Sequence, residues 1–198
     1  MIVGLLERGR ADFVAPLRPY LSDVTLVGSA LSFLRSFRVD RLIYSPIVRH
    51  HPPGFLLLLW VMDFAHGRGA GWAIGLVVVG AAMLVPALVV LIGRRDWPIV
   101  VVLIAAAALR WPAPEPGGLF FAVAAVGAAL IVRGRRAVTH AGGGAALALS
   151  MVLTYAAVVP AIAVIACVAL RDRRRAIVAL VGAGSLLLVF GFAGYWWP

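Results

Sequence analysis

The chain has 198 residues and a formal net charge of +10, and it is 63% hydrophobic and 13% charged, with a mean hydropathy of +1.02. Soluble domains are roughly 45–50% apolar, so this composition points to lipid as the solvent for most of the chain. The single cysteine, Cys167, excludes an intramolecular disulfide and a thiolate zinc site. All 18 basic residues are arginines, most of them in short clusters between apolar runs, a placement that reads as membrane topology and not as a nucleic-acid surface.

The opening MIVGLL is too short for the apolar core of a signal peptide and is followed by Glu7. Residues 1–50 hold seven arginines, the acids Glu7, Asp12, Asp23 and Asp40, three prolines, and no run long enough to span a bilayer. The region 1–53 is therefore expected to be an amphipathic outer loop. Within it, TLVGSALSFLRSF at 25–37 places Leu26, Ser29, Ala30, Phe33, Leu34 and Phe37 at helical spacing, which predicts a helix lying on the membrane interface. In RHHPPG at 49–54, Pro52 and Pro53 suit the first turn of a helix, where a missing N–H costs nothing, and His51 suits its cap.

From 54 to 198 the charges divide the apolar sequence. The run 54–65 is short, and 72–93 is long enough to cross a bilayer; 97–109 and 119–132 are short again, with WPAPEPGG at 111–118 between them. The run 137–170 is too long for one crossing and is read as two short helices meeting near 150–155, with Pro160 tolerated because neighbouring helices satisfy the freed backbone. A last run covers 176–197.

Placing Arg94-Arg95, RGRR at 133–136 and RDRRR at 171–175 inside makes 97–109 and 119–132 an out-and-back pair. It also leaves 1–71 and the aromatic GYWWP end outside. The expected fold is all-α, a polytopic integral membrane helical bundle (54–198) carrying the outer loop, multi-pass in the plasma (inner) membrane. Export of a seven-arginine region calls for a preceding signal anchor, so a first membrane segment is expected upstream, with MIVGLL as its tail. GGG at 142–144 reads as close helix packing, since no strand precedes it and no lysine follows it.

The outer side then collects Asp12, Asp23, Asp40, Arg49, His50, His51, Asp63, His66, Arg110, Glu115 and Tyr155. Carboxylates can act as general bases and arginines can grip phosphate oxygens in pairs, which suits group transfer on an anionic, lipid-linked substrate. His50 and His51 make a poor metal pair, because adjacent side chains of an extended stretch point apart. Asp63, at the end of a short apolar helix, is either an intramembrane functional acid or a wet interfacial one. Asp23 is either chemical or the N-cap of the helix near Thr25, and Arg49 and Arg110 either bind phosphate or snorkel to the interface.

YLSDV (20–24), SFLRSF (32–37), Tyr44 followed by HPPG (51–54), short paired helices with basic inner turns and a closing GYWW together resemble the GT-C superfamily of polytopic membrane glycosyltransferases. The resemblance covers nearly the whole chain and implies a protein truncated at both ends. It implies transfer of a sugar, hexosyl or pentosyl, from a polyprenyl-phosphate donor to a cell-envelope acceptor on the outer face. On that resemblance Asp23 is the base that deprotonates the acceptor hydroxyl, with Asp12 and Asp40 as alternatives. Arg49, His51, Arg110 and Glu115 bind substrate. The resemblance fixes no cofactor and is compatible with a divalent metal. It implies membrane lipid, other membrane subunits and no nucleic acid as partners. PAPEPGG departs from the family pattern, offering Glu115 as its only acid where relatives carry more polar residues.

Two rival readings follow from the same residues. A non-catalytic membrane scaffold, a shortened relative that binds a partner or lipid, fits the brevity of the chain. A small transporter fits less well, because few ionisable residues lie at mid-membrane depth and no inverted repeat is evident.

Overall fold

The computed structural model describes residues 15–66, 70–92 and 117–194, which form helices and turns with no strand among them. The all-α expectation therefore holds for the described residues.

The N-terminal cap begins with a 3-10 turn, Ala15–Leu17, and continues as α1 (Arg18–Val24), α2 (Ala30–Asp40), a second 3-10 turn (Arg41–Ile43) and α3 (Pro46–Arg49). The helix expected over 25–37 starts at Ala30. Ser29 takes an extended backbone there (φ −149°, ψ 152°) and its hydroxyl accepts the Ser32 N–H at 3.2 Å, an N-cap that stops the helix from extending backwards. Asp23 consequently lies inside α1 and is not an N-cap. The apolar stripe of α2 also has a different destination: Phe33, Leu34 and Phe37 are buried against protein and do not face outwards as an interfacial helix would place them.

Six longer helices follow among the described residues: α4 (Gly54–His66), α5 (Ala70–Ile92), α6 (Gly117–Arg133), α7 (Ala137–Leu153), α8 (Val158–Ala169) and α9 (Arg173–Phe192). In the bundle α6 lies between α5 and α7, and α7 between α6 and α9. Helices α5 and α6 run in the same direction. Gly80 abuts Leu119 near one end, and at the other Arg133 donates from Nε and Nη2 to the Val90 carbonyl at 3.0 and 2.6 Å. Two parallel neighbours are what an out-and-back arrangement requires; residues 97–109 themselves lie outside the described residues.

The two ends of the bundle differ. Arg175 at the start of α9 reaches the Val132 carbonyl from Nη1 at 2.8 Å, so the turns around 134–136 and 170–172 share the arginine-rich end with the close of α5. At the opposite end Gly54 rests on Val152 in the last turn of α7, and Gly194, beyond α9, lies against Arg35 of the cap.

Small residues bring the helices together. A Cβ on Gly144 would fall on the backbone of Ala179, and one on Gly182 on the backbone of Ala141, so α7 and α9 touch main chain to main chain. Of GGG, positions 143 and 144 are used at contacts with α6 and α9, whereas Gly142 faces open space. Pro160 lies in the first turn of α8, where its missing N–H would have had no helical partner, so no backbone group needs rescue by a neighbour. An aromatic cluster with Tyr20, Phe33, Phe37, Tyr44 and Phe55 joins the cap to Phe120 and Leu153, so packing runs unbroken across position 53. A second, alanine-rich cluster fills the bundle.

Candidate functional site in the cap

Helical spacing in α1 sets Asp23 on the face that also carries Tyr20 and Val24, and with them it is turned inward, 6% exposed. A buried carboxylate needs donors to replace water. One is supplied by the main chain: the Ser45 N–H donates to Asp23 Oδ2 at 2.7 Å. The Ser22 hydroxyl has a closer acceptor in the Pro19 carbonyl at 2.8 Å, and its contact with Asp23 Oδ1 is long at 3.4 Å. Asp23 thus has one oxygen fixed by backbone and one more weakly held. The buried Ser45 Oγ has no hydrogen-bond partner among the described residues.

The segment that meets Asp23 is itself clamped. Arg49 donates from Nε and Nη2 to the Tyr44 carbonyl at 3.3 and 3.1 Å, and Nη2 also lies 3.5 Å from the Leu42 carbonyl. The His50 Nδ1 meets the Pro46 carbonyl at 2.6 Å, which assigns the proton to Nδ1 and closes α3. Tyr44 is buried between Phe33 and Phe37, with ring centroids 5.7 and 5.5 Å away. Burial, and then the charges of Asp40 and Asp23, push its hydroxyl pKa up.

HPPG works as a joint. Pro52 and Pro53 are buried, the Pro53 carbonyl accepts the Leu57 N–H at 2.9 Å to start α4, and any Cβ at Gly54 would collide with the Val152 main chain. His51 is half-buried with its ring 6.3 Å from that of Tyr20, which in turn packs edge-on against Phe55 at 4.9 Å.

Of the residues nominated from sequence, Asp23 and Arg49 therefore converge on the same 42–45 segment, and His51 lies beside Tyr20 of α1. Asp40 is exposed at the end of α2; Asp63 is half-buried on α4, and Tyr155 half-buried in the turn after α7. Asp12, Arg110 and Glu115 lie outside the described residues. Sequence reasoning missed Ser45, whose place before Pro46 is a helix-start signal. It also missed His140, buried on α7 with Nδ1 lacking a hydrogen-bond partner among the described residues; an ionisable residue in an apolar helix was the available signal. Among the described residues no group of three His, Cys, Asp or Glu side chains comes together as a metal site.

Compared with protein-family models, curated protein sequences and solved structures, the chain matches none. The likeness to GT-C enzymes accordingly rests on the motif residues alone.

Proposed function

We propose that the chain is a multi-pass membrane protein of the plasma (inner) membrane with its cap on the outer side. The observation that carries this reading is the exposure of α9. Its 20 residues have a mean hydropathy of 2.0 over their most apolar window, yet only 22% of that window is buried. Ile177, Leu180, Val181, Leu188, Val189 and Phe192 all stand open. A core helix of a water-soluble domain would be covered, whereas a bare apolar helix of roughly 30 Å fits lipid. Val78, Val79 and Val89 on α5 and Val159 and Ile162 on α8 extend the apolar exterior. Gathering of the arginine turns at one end agrees with the positive-inside rule. Alkaline carbonate treatment of membranes should leave the protein in the pellet; release into the supernatant would overturn the reading.

For its activity we propose transfer of a sugar from a polyprenyl phosphate to a cell-envelope acceptor at the cap, as the GT-C likeness implies. Asp23 Oδ1, the more weakly held oxygen, takes the proton of the acceptor hydroxyl. The acceptor oxygen bonds to the anomeric carbon as the bond to phosphate breaks, and polyprenyl phosphate leaves. Arg49, with His51, Arg110 and Glu115, serves the substrate. The test is transfer of labelled sugar in proteoliposomes. Asp23→Asn keeps an oxygen for the Ser45 N–H, so a folded variant without transfer supports the base role, and full activity removes Asp23 from the mechanism. A membrane scaffold is the second reading. It is favoured by the use of Asp23 and Arg49 on the protein's own backbone, and absence of transfer by the unaltered chain would bring it forward.

A further inference from the structure

Between α5 and α6, at the arginine-rich end, lies an open groove of about 410 Å³, within the roughly 300–1,000 Å³ typical of small-molecule sites. Its floor and walls are apolar, with Pro86 and Ala87 on α5 and Val126 and Ala129 on α6; among the described residues its one charged lining residue is Arg133, and Gly134 closes the end. The Arg133 guanidinium is held there by its Nε–Nη2 edge on the Val90 carbonyl. That bond leaves the Nη1–Nη2 edge, the pair of donors that matches two phosphate oxygens. Arg135 and Arg136 are exposed on the adjoining turn.

We infer that this groove binds an anionic phospholipid of the inner leaflet, one acyl chain lying between α5 and α6 and the phosphate at Arg133, with Arg135 and Arg136 beside it. The inference rests on the membrane reading and not on the transferase reading. In a bilayer an apolar groove gains little by exchanging one acyl chain for another, since lipid tails are as apolar as the helix faces. A zwitterionic lipid also offers Arg133 a phosphate, so selectivity must come from net headgroup charge. A choline adds a cation that Arg133, Arg135 and Arg136 repel close to the membrane surface, whereas an anionic headgroup adds none.

The experiment is native mass spectrometry of the full chain released from nanodiscs of equal phosphatidylcholine and phosphatidylglycerol. The expected result is retention of phosphatidylglycerol over phosphatidylcholine by roughly tenfold, from repulsion of the choline cation by the arginine cluster. Arg135→Gln with Arg136→Gln should lower the preference and Arg133→Gln should lower it further. Ala129→Phe, which fills the groove without changing charge, should abolish retention of either lipid. Equal retention of both lipids by the unaltered chain overturns the inference, and so does undiminished preference in Ala129→Phe. A chain that stays dispersed in buffer without detergent or lipid overturns the membrane reading and this inference with it, an outcome separable from loss of selectivity alone.

Discussion

The cap and the bundle are held together by different means. In the cap, polar side chains bind main chain over short distances: Asp23 to Ser45, Arg49 to Tyr44, His50 to Pro46, around a core of aromatic rings. In the bundle the described contacts between α7 and α9 are made by glycine and alanine backbones, and arginines reach carbonyls of other helices at the charged end. In the cap buried polar groups are met by main chain, with Ser45 Oγ as an exception among the described residues. The glycine contacts of the bundle suit helices in lipid, the setting proposed above, where close approach is the available attraction.

Gly144→Leu should be the most damaging change, because its side chain would meet the Ala179 main chain and force α7 and α9 apart. A loss of about 3 kcal/mol or more is expected in unfolding from detergent micelles, and a near-neutral result would show that the small-residue contact does not hold the bundle. In the cap, Asp23→Ala strands the Ser45 N–H in a buried setting, and proteolytic susceptibility of the 15–53 region should rise by the equivalent of roughly 1–3 kcal/mol. Asp23→Asn should stay near the unaltered protein in that assay, which separates the structural bond from any proton transfer. Arg49→Lys removes the fork that grips the Tyr44 carbonyl and should loosen the cap by about 1 kcal/mol while leaving the bundle's thermal transition in place.

The smallest effect concerns pH. Because burial and two carboxylates raise the Tyr44 pKa, the folded cap keeps a proton that the unfolded chain loses near pH 10. Stability is therefore complete below that value and falls as the pH climbs beyond it. Absorbance titration should show a late-ionising component that Tyr44→Phe removes. Asp172 carries the opposite dependence at the other end. The Arg175 N–H, at 3.1 Å, lowers its pKa, so its contribution is present above the ordinary aspartate value and lost as the pH falls through the lowered one.

Charges and apolar runs made much of the bundle legible. The run 137–170 does divide into α7 and α8 at a turn over Tyr155–Ala157, and α5 and α6 do lie parallel. Both follow from the arginine clusters that bound the apolar runs and from the length of sequence between them. The cap was harder. Periodicity alone ran α2 back to Thr25, because it does not register that the Ser29 hydroxyl can take over an N–H bond and end the helix. Asp23 was recognisable as a candidate, but its partner lies 22 residues further on and is a backbone N–H, which leaves no mark in composition. Arg49 read as a phosphate binder or a snorkelling side chain because the carbonyls it grips belong to a turn that exists only once α2 and α3 have formed. Gly54 was legible as part of HPPG, yet its reason, contact with Val152, becomes visible only in three dimensions.

The contact of Gly194 with Arg35, together with Phe190 and Ala193 packed on the cap core, has a consequence for the order of assembly. The cap precedes α9 in the chain and so leaves the ribosome before it. During synthesis the cap therefore waits with one flank open, and it can close only after the intervening helices have been placed. Completion of α9 then acts as the lock on a structure begun many helices earlier in the chain.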